Sequence, residues 1–399
     1  MKNITKYIDN FKIIECLGVL FFVVVFSRLD YVIFAKTGHL PPSNWLAAFL
    51  VIGLVSLLFS KERASIVYQR ARSSLFLIFV LATLIVFVIL NIFNNDLSLN
   101  SFAQLRHYLF SFLLLLVAFI FYSISNTRNI RIGIGIVALF STFINTVELF
   151  FFPGYFSGIY WRAGGFYINP NGAALAIVLG MIVSFTSLPY KRRFPYLLLS
   201  GLGVFLTLSR AGLIIWLLSA VTFWIAGAFQ LVSNDRKENS INFALLIGIT
   251  ACCLAALSMN SEVADIHHRT ATSIIDLSAT ERWEELRQGL REIMTVISSG
   301  ELTLWIKMGY FEGFEQPRYT HNFYLNAWQN FGVIGVLLVI FFLSMSLIRG
   351  NPISKGTSWA LALTLLVWAL FDGQLLHSIT ILLAQVVVRS DAGDAEVLT

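Results

Sequence analysis

Asn169-Pro-Asn171-Gly-Ala-Ala-Leu-Ala-Ile-Val-Leu-Gly-Met-Ile-Val-Ser-Phe-Thr-Ser-Leu188 carries no charged residue from end to end. Asn169 ahead of Pro170 suits a helix start: an Asn side chain can cap the first free backbone N–H groups, and proline is tolerated at the first helical residue. A bilayer core about 30 Å thick needs about 17–25 mostly apolar residues at about 1.5 Å rise per residue, so the run 171–188 is predicted to cross a membrane. Eleven more runs qualify on the same grounds, at 12–28, 42–60, 74–93, 106–124, 131–152, 193–209, 211–231, 241–259, 322–347, 357–371 and 373–389. The last two are short and separated only by Phe371-Asp372-Gly373, which leaves eleven spans as the alternative count.

Composition agrees with that pattern. The chain is 57% hydrophobic and 13% charged, with a mean hydropathy of +0.77, against roughly 45–50% and about 25% in soluble globular chains. A water-soluble fold could not bury so much apolar surface, and a disordered chain would be far more polar. The formal charge of +6 is what Lys and Arg on cytoplasmic loops produce, so no nucleic-acid partner is expected. Cys16, Cys252 and Cys253 all lie in apolar runs, and no disulfide or zinc framework follows. The N-terminus resembles a secretory signal, but no small-x-small cleavage pattern follows the run from Ile13 to Ser27, which is expected to be the first span.

Charge sets the orientation. With twelve spans and both ends cytoplasmic, 17 of the 28 Lys and Arg residues fall inside and five on short outer loops. The other six lie in a long segment, 260–320, between the ninth and tenth spans, together with ten acids. Within it Ser278-Ala-Thr-Glu281 reads as a capping box, followed by Trp283, Leu286, Leu290, Ile293, Met294 and Ile297 at helical spacing. An amphipathic helix is therefore predicted, serving as a structural lid or in substrate binding. The fold expected is an all-α polytopic bundle of about twelve membrane helices, one domain over residues 1–399, with a single large outer loop.

Charge beside an apolar run is costly, so arginines there are candidates for function. Arg162 lies in the turn-rich loop Tyr160-Trp-Arg-Ala-Gly-Gly-Phe-Tyr-Ile-Asn169, where Gly164 and Gly165 would let backbone N–H groups approach a ligand. Arg210 lies in Leu206-Thr-Leu-Ser-Arg-Ala-Gly212 between two closely spaced spans. Two guanidiniums on one side, each able to fork onto phosphate oxygens, would clamp a diphosphate; the alternative is that each only reaches lipid headgroups. His321 opens the tenth span in Thr320-His-Asn-Phe-Tyr-Leu and could take a proton from an acceptor hydroxyl. Asp30 and Asp372 are rival bases. His267 and His268 are adjacent and make a poor metal pair, while His39 and His377 read as structural. No Asp-x-Asp motif lies in the outer loops and no phosphate-loop motif anywhere, so neither metal nor cofactor is expected.

These three segments together resemble the O-antigen ligase and polymerase superfamily. Its members carry an Arg-x-x-Gly loop ending in Asn-Pro-Asn, matched by Arg162, Gly165 and Asn169 to Asn171; a Thr-x-Ser-Arg-x-Gly turn, matched by Thr207, Ser209, Arg210 and Gly212; and a His-Asn-x-x-Leu segment followed by Gly-x-x-Gly, matched by His321, Asn322, Leu325, Gly332 and Gly335. The resemblance covers about residues 155–345. Met308-Gly-Tyr-Phe-Glu312-Gly departs from the Gly-x-Gly stretch that many relatives carry before the histidine.

The resemblance implies an inner-membrane enzyme whose site faces the periplasm. It would transfer a glycan from undecaprenyl diphosphate, with inversion and without metal, as in lipopolysaccharide biosynthesis. The arginines would hold the diphosphate, with Gly165, Asn169, Asn171, Ser209 and Asn322 lining the substrate site and His321 beside the acceptor hydroxyl. A lipid A–core acceptor would make it a ligase and a carrier-linked repeat unit a polymerase. A protein-glycosylating relative fits less well. A secondary transporter, the alternative from another class, should show paired repeats and broken midplane helices, and no such halves are visible.

Overall fold

The computed structural model describes residues 2–73, 99–160, 162–227, 322–344, 355–371 and 379–390, with isolated positions between 82 and 89, at 248 and between 284 and 298. Among the described residues all regular structure is helical. The longer helices are α1 (Lys2–Phe26), α2 (Leu29–Thr37), α3 (Pro42–Leu58), α4 (Lys61–Ser73), α5 (Leu99–Ile124), α6 (Thr127–Phe151), α7 (Pro170–Ser184), α8 (Tyr190–Leu206), α9 (Arg210–Ile225), α10 (Phe323–Ser344), α11 (Lys355–Trp368) and α12 (Ile379–Ser390). α3, α6, α7 and α8 follow the predicted runs closely, α1 and α5 begin ten and seven residues earlier than expected, and α2 and α4 occupy stretches expected to be loops; the expected spans 74–93 and 241–259 lie, but for isolated positions, outside the described residues. Arg28 breaks the path with a left-handed φ of 59° and α2 leaves at 58° to α1, while α4, bearing Lys61, Arg63, Arg70 and Arg72, turns 110° away from α3.

Two described helices, Thr127–Phe151 and Pro170–Ser187, are each long and apolar enough to cross a bilayer, and the two bent pairs could each form one broken span. The distribution of side chains in α6 says what surrounds it. Phe140, Phe143, Phe150 and Phe151 are exposed, whereas Ser141, Thr142, Asn145 and Glu148 are buried. A helix with its polar face inward and its phenylalanines outward is built for an apolar surrounding. α7 has no outer face: 13 of its 15 residues are buried, as expected for a helix apolar all round.

Small residues set how closely the helices approach α7 and one another. A Cβ on Gly180 would meet that of Ala138 at 2.8 Å, one on Gly212 would meet Ala174 at 2.5 Å, and one on Gly201 would collide with Trp216. Around them pack Phe21, Phe22, Phe49 and Phe121 in edge and stacked contacts, and Phe185 stacked on Phe223 at 4.1 Å.

Helix directions fix which ends lie together. Phe26 at the end of α1, the end of α6 and the end of α8 share one end of the bundle with the starts of α7 and α9, because the connections 152–169 and 207–209 are short and bonded to them. α11 runs antiparallel to α9: Gly356 faces Ala226, and Thr364 bonds Ser219 at 2.9 Å. The start of α10 joins the end of α11 through Phe323 N–H to the Ala369 carbonyl at 2.8 Å, at the same end as Arg210. α10 is itself broken at Gly332, whose φ of 64° and ψ of −159° interrupt the helix inside the expected tenth span. Of the long segment 260–320, Gly289 lies against Leu325 of α10, and Leu290 and Met294 are exposed, while the expected capping box 278–281 and Trp283, Ile293 and Ile297 lie outside the described residues.

Candidate functional site

The loop between α6 and α7 is organised around one buried carboxylate. Glu148, in the last turn of α6 and 1% exposed, accepts the N–H groups of Phe156 and Ser157 on Oε1 at 2.9 and 2.7 Å, and those of Gly164 and Gly165 on Oε2 at 2.8 and 2.7 Å. A carboxylate has about four acceptor positions, and all four are filled by loop backbone. The Ser157 hydroxyl closes the loop by donating to the Arg162 carbonyl at 2.7 Å. The sequence suggested that the N–H groups of Gly164 and Gly165 would meet a ligand; they point at Glu148 instead. Gly165 is required twice over, since its φ is +48° and a Cβ there would come within 2.6 Å of Asn145 Oδ1.

Arg162 emerges from this loop and bridges two helix starts. Its Nη2 donates to Asn171 Oδ1 at 2.9 Å in the first turn of α7, and its Nε to the Thr207 carbonyl at 3.1 Å, just ahead of α9. Ala163 N–H reaches the Leu206 carbonyl at 3.4 Å beside it. Asn169 Oδ1 caps α7 by accepting Asn171 N–H at 2.9 Å, and Ser209 Oγ caps α9 by accepting Gly212 N–H at 3.1 Å. Arg210 is the first residue of α9 and its side chain is exposed. Two helix N-termini and two guanidiniums therefore share one corner, an arrangement that attracts anions.

Asn322 is buried at the same end of the bundle, where its Oδ1 accepts Tyr324 N–H at 3.0 Å and Leu325 N–H at 3.2 Å and so caps α10. His321, Asp372, His377, His267 and His268 lie outside the described residues. Asp30 is buried, 1% exposed, at the start of α2, which packs on the loop through Lys36 Nζ donating to the Tyr155 carbonyl at 3.0 Å. Tyr167 O–H donates to the Phe26 carbonyl at 2.6 Å and ties the loop to the end of α1. Among the described residues no three His, Cys, Asp or Glu side chains cluster as metal ligands would.

Glu148 and Asn145 are the residues that reading the sequence for surface arginines overlooks. Their signal was present: Glu148 is the only acid in the run 131–152, and the argument from costly charge applies to it as to Arg162. Asn145 is fully buried, with no hydrogen bond to either side-chain amide atom.

No family model matches the chain, and no curated protein matches its sequence significantly. What stands from fold and site is an all-helical protein with the apolar helices of a membrane-embedded chain and an arginine-bearing corner at one end.

Proposed function

We propose that this chain is an O-antigen ligase-type glycosyltransferase. It transfers a glycan from undecaprenyl diphosphate to a lipid A–core sugar at the periplasmic face of a bacterial inner membrane. The observation that carries the reading is the bridge from Arg162 to both Asn171 and Thr207: two motifs 45 residues apart in sequence meet through one guanidinium. In the reaction the acceptor oxygen attacks the anomeric carbon from the face opposite the diphosphate, and the carbon–oxygen bond to the diphosphate breaks with inversion. Arg162 and Arg210 neutralise the charge that gathers on the leaving undecaprenyl diphosphate, with both helix N-termini behind them. His321, one residue before Asn322, accepts or directs the proton of the acceptor hydroxyl. Twelve spans, cytoplasmic termini and an outer 260–320 segment complete this reading.

The test is deletion of the chain followed by gel analysis of surface polysaccharide. Loss of every attached chain, with carrier-linked polymer retained, is the ligase result. Attachment of a single repeat unit would make the enzyme a polymerase with the same donor, and unchanged polysaccharide would end the proposal.

A further inference from the structure

The connection between α8 and α9 is three residues long, 207–209, and its middle residue, Leu208, has a left-handed φ of 51°. Helices commonly end on a left-handed residue just past the last turn, and that residue is usually glycine because a Cβ there crowds the following carbonyl. A leucine in that place is strained. One peptide plane joins Thr207 to Leu208, and both of its polar groups are engaged. Its N–H, on Leu208, donates to the Phe205 carbonyl at 2.8 Å, while its carbonyl, on Thr207, accepts Arg162 Nε at 3.1 Å. The direction of that plane is set by the ψ of Thr207, −15°, and the φ of Leu208.

For a residue with a Cβ the left-handed region is a small well, about φ +50 to +70°, whereas glycine populates a far wider range. Leu208 therefore confines the plane more tightly than glycine would, and the carbonyl stays on Arg162. Bonds on either side hold the rest of the turn. Thr207 Oγ1 donates to the Val204 carbonyl at 2.6 Å and accepts Ser209 N–H at 3.3 Å. The other stretch bonded to Arg162 has a similar signature: Ile168, just ahead of the Asn169 cap, has a φ of 62° and a ψ of −31°, where a branched residue is an outlier. Four described residues other than glycine have positive φ, and two of them adjoin the segments that Arg162 bridges. Backbone strain of this kind gathers where the surrounding structure must hold one geometry.

We propose that Leu208 is a positioning residue for the arginine corner: it keeps the Thr207 carbonyl, and through it the Arg162 guanidinium, in a fixed direction. The inference rests on the glycosyl-transfer reading for the reaction served, while the hold on Arg162 belongs to the turn itself.

The experiment compares Leu208→Gly with Leu208→Ala in the full chain in nanodiscs, since both lose the leucine side chain and only glycine lifts the restriction on φ. Glycine should raise the thermal midpoint above that of the alanine variant by about 1–3 °C, because alanine at positive φ is strained. It should nevertheless transfer glycan from undecaprenyl diphosphate at least about fivefold more slowly than the alanine variant, since small misplacements at a reacting site cost rate. A merely structural residue would move stability and rate in the same direction. A glycine variant no more stable than the alanine one, or equally fast, overturns the proposal. Wild-type protein that transfers nothing would instead remove the glycosyl-transfer reading, and a thermal cycle then decides. Arg162→Ala should lower the midpoint less in the Leu208→Gly background than in the Leu208→Ala background, and equal losses overturn the proposal. Should the alanine variant alone fail to fold, Leu208→Ser, also small and with a Cβ, replaces it. Failure of the glycine and alanine variants alike would mean that side-chain packing holds the turn, which overturns the proposal as well.

Discussion

The two ends of this bundle both carry arginines, and they hold them differently. At the α7 and α9 starts, Arg162 is fixed by bonds to Asn171 and Thr207 and rises from a loop whose four N–H groups converge on Glu148. At the α6 and α8 starts, Arg128, Lys191 and Arg192 are exposed, and the buried acid that would organise them is missing from the described residues of that corner. A cation held on both sides by neutral acceptors costs rotamer freedom to set in place, and that is repaid where geometry matters. Cations left on an interface supply charge without geometry.

The sharpest break of this contrast is its sidedness. With the three native cysteines replaced, His39→Cys, at an exposed position beyond α2, should be modified by a membrane-impermeant reagent from outside intact cells, and Lys191→Cys only after permeabilisation. The reverse pattern would invert the orientation drawn from charge. Next in size, Arg162→Ala should lower transfer by about 10²–10³ at normal expression, on the scale of removing one preorganised donor at a developing negative charge. If the activity stays within a few fold, Arg162 is a structural strut only.

Glu148→Gln tests whether the loop depends on its carboxylate. The amide offers one acceptor oxygen and turns an NH2 toward two of the four N–H groups, which should destabilise the loop by on the order of 3 kcal/mol. Hydrogen exchange at residues 156, 157, 164 and 165 measures it, and unchanged protection at all four would remove Glu148 as the organiser. Gly165→Ala should be milder, about 1–2 kcal/mol from the left-handed backbone plus the clash with Asn145. Adding Asn145→Ala relieves only the clash, so the double variant should regain part of the thermal midpoint and not all of it. The smallest effect belongs to the middle of the bundle. Thr364→Val removes one bond between α11 and α9 and should shift stability by roughly 0.6 kcal/mol, since Ser219 keeps its bond to the Ile215 carbonyl. A value several times larger would mean that interior polar bonds matter as much as those at the ends.

Helix positions were legible because length and apolarity nearly determine them: 42–60 became Pro42–Leu58 and 193–209 became Tyr190–Leu206. The Asn169-Pro-Asn171 start was legible for the same local reason, a cap and a proline acting within one turn. What escaped was relational. That Arg162 would bond Asn171 and Thr207 depends on how α7 and α9 pack, and Gly212 against Ala174 sets that spacing. The glycines at 164 and 165 suggested open N–H groups because sequence does not tell which acceptor lies opposite; Glu148, 16 residues earlier than Gly164, supplies it. α2 and α4 were missed since helices of 9 and 13 residues beside the spans leave no long apolar run of their own.

The inward polar face of α6 also bears on how the chain is assembled in a membrane. An acid at the centre of an inserting helix costs about 2.5–3.5 kcal/mol on insertion scales, and less near an end, where Glu148 lies. α6 alone would present Glu148, Asn145 and Ser141 to lipid, and the return of the chain through the 156–165 loop and α7, with α1 and α8 packed on the same helix, covers them. The two helices are therefore best inserted as a hairpin. The loop between them closes on Glu148 after both are in place, so the geometry around Arg162 is acquired last, as a product of membrane integration rather than of local folding.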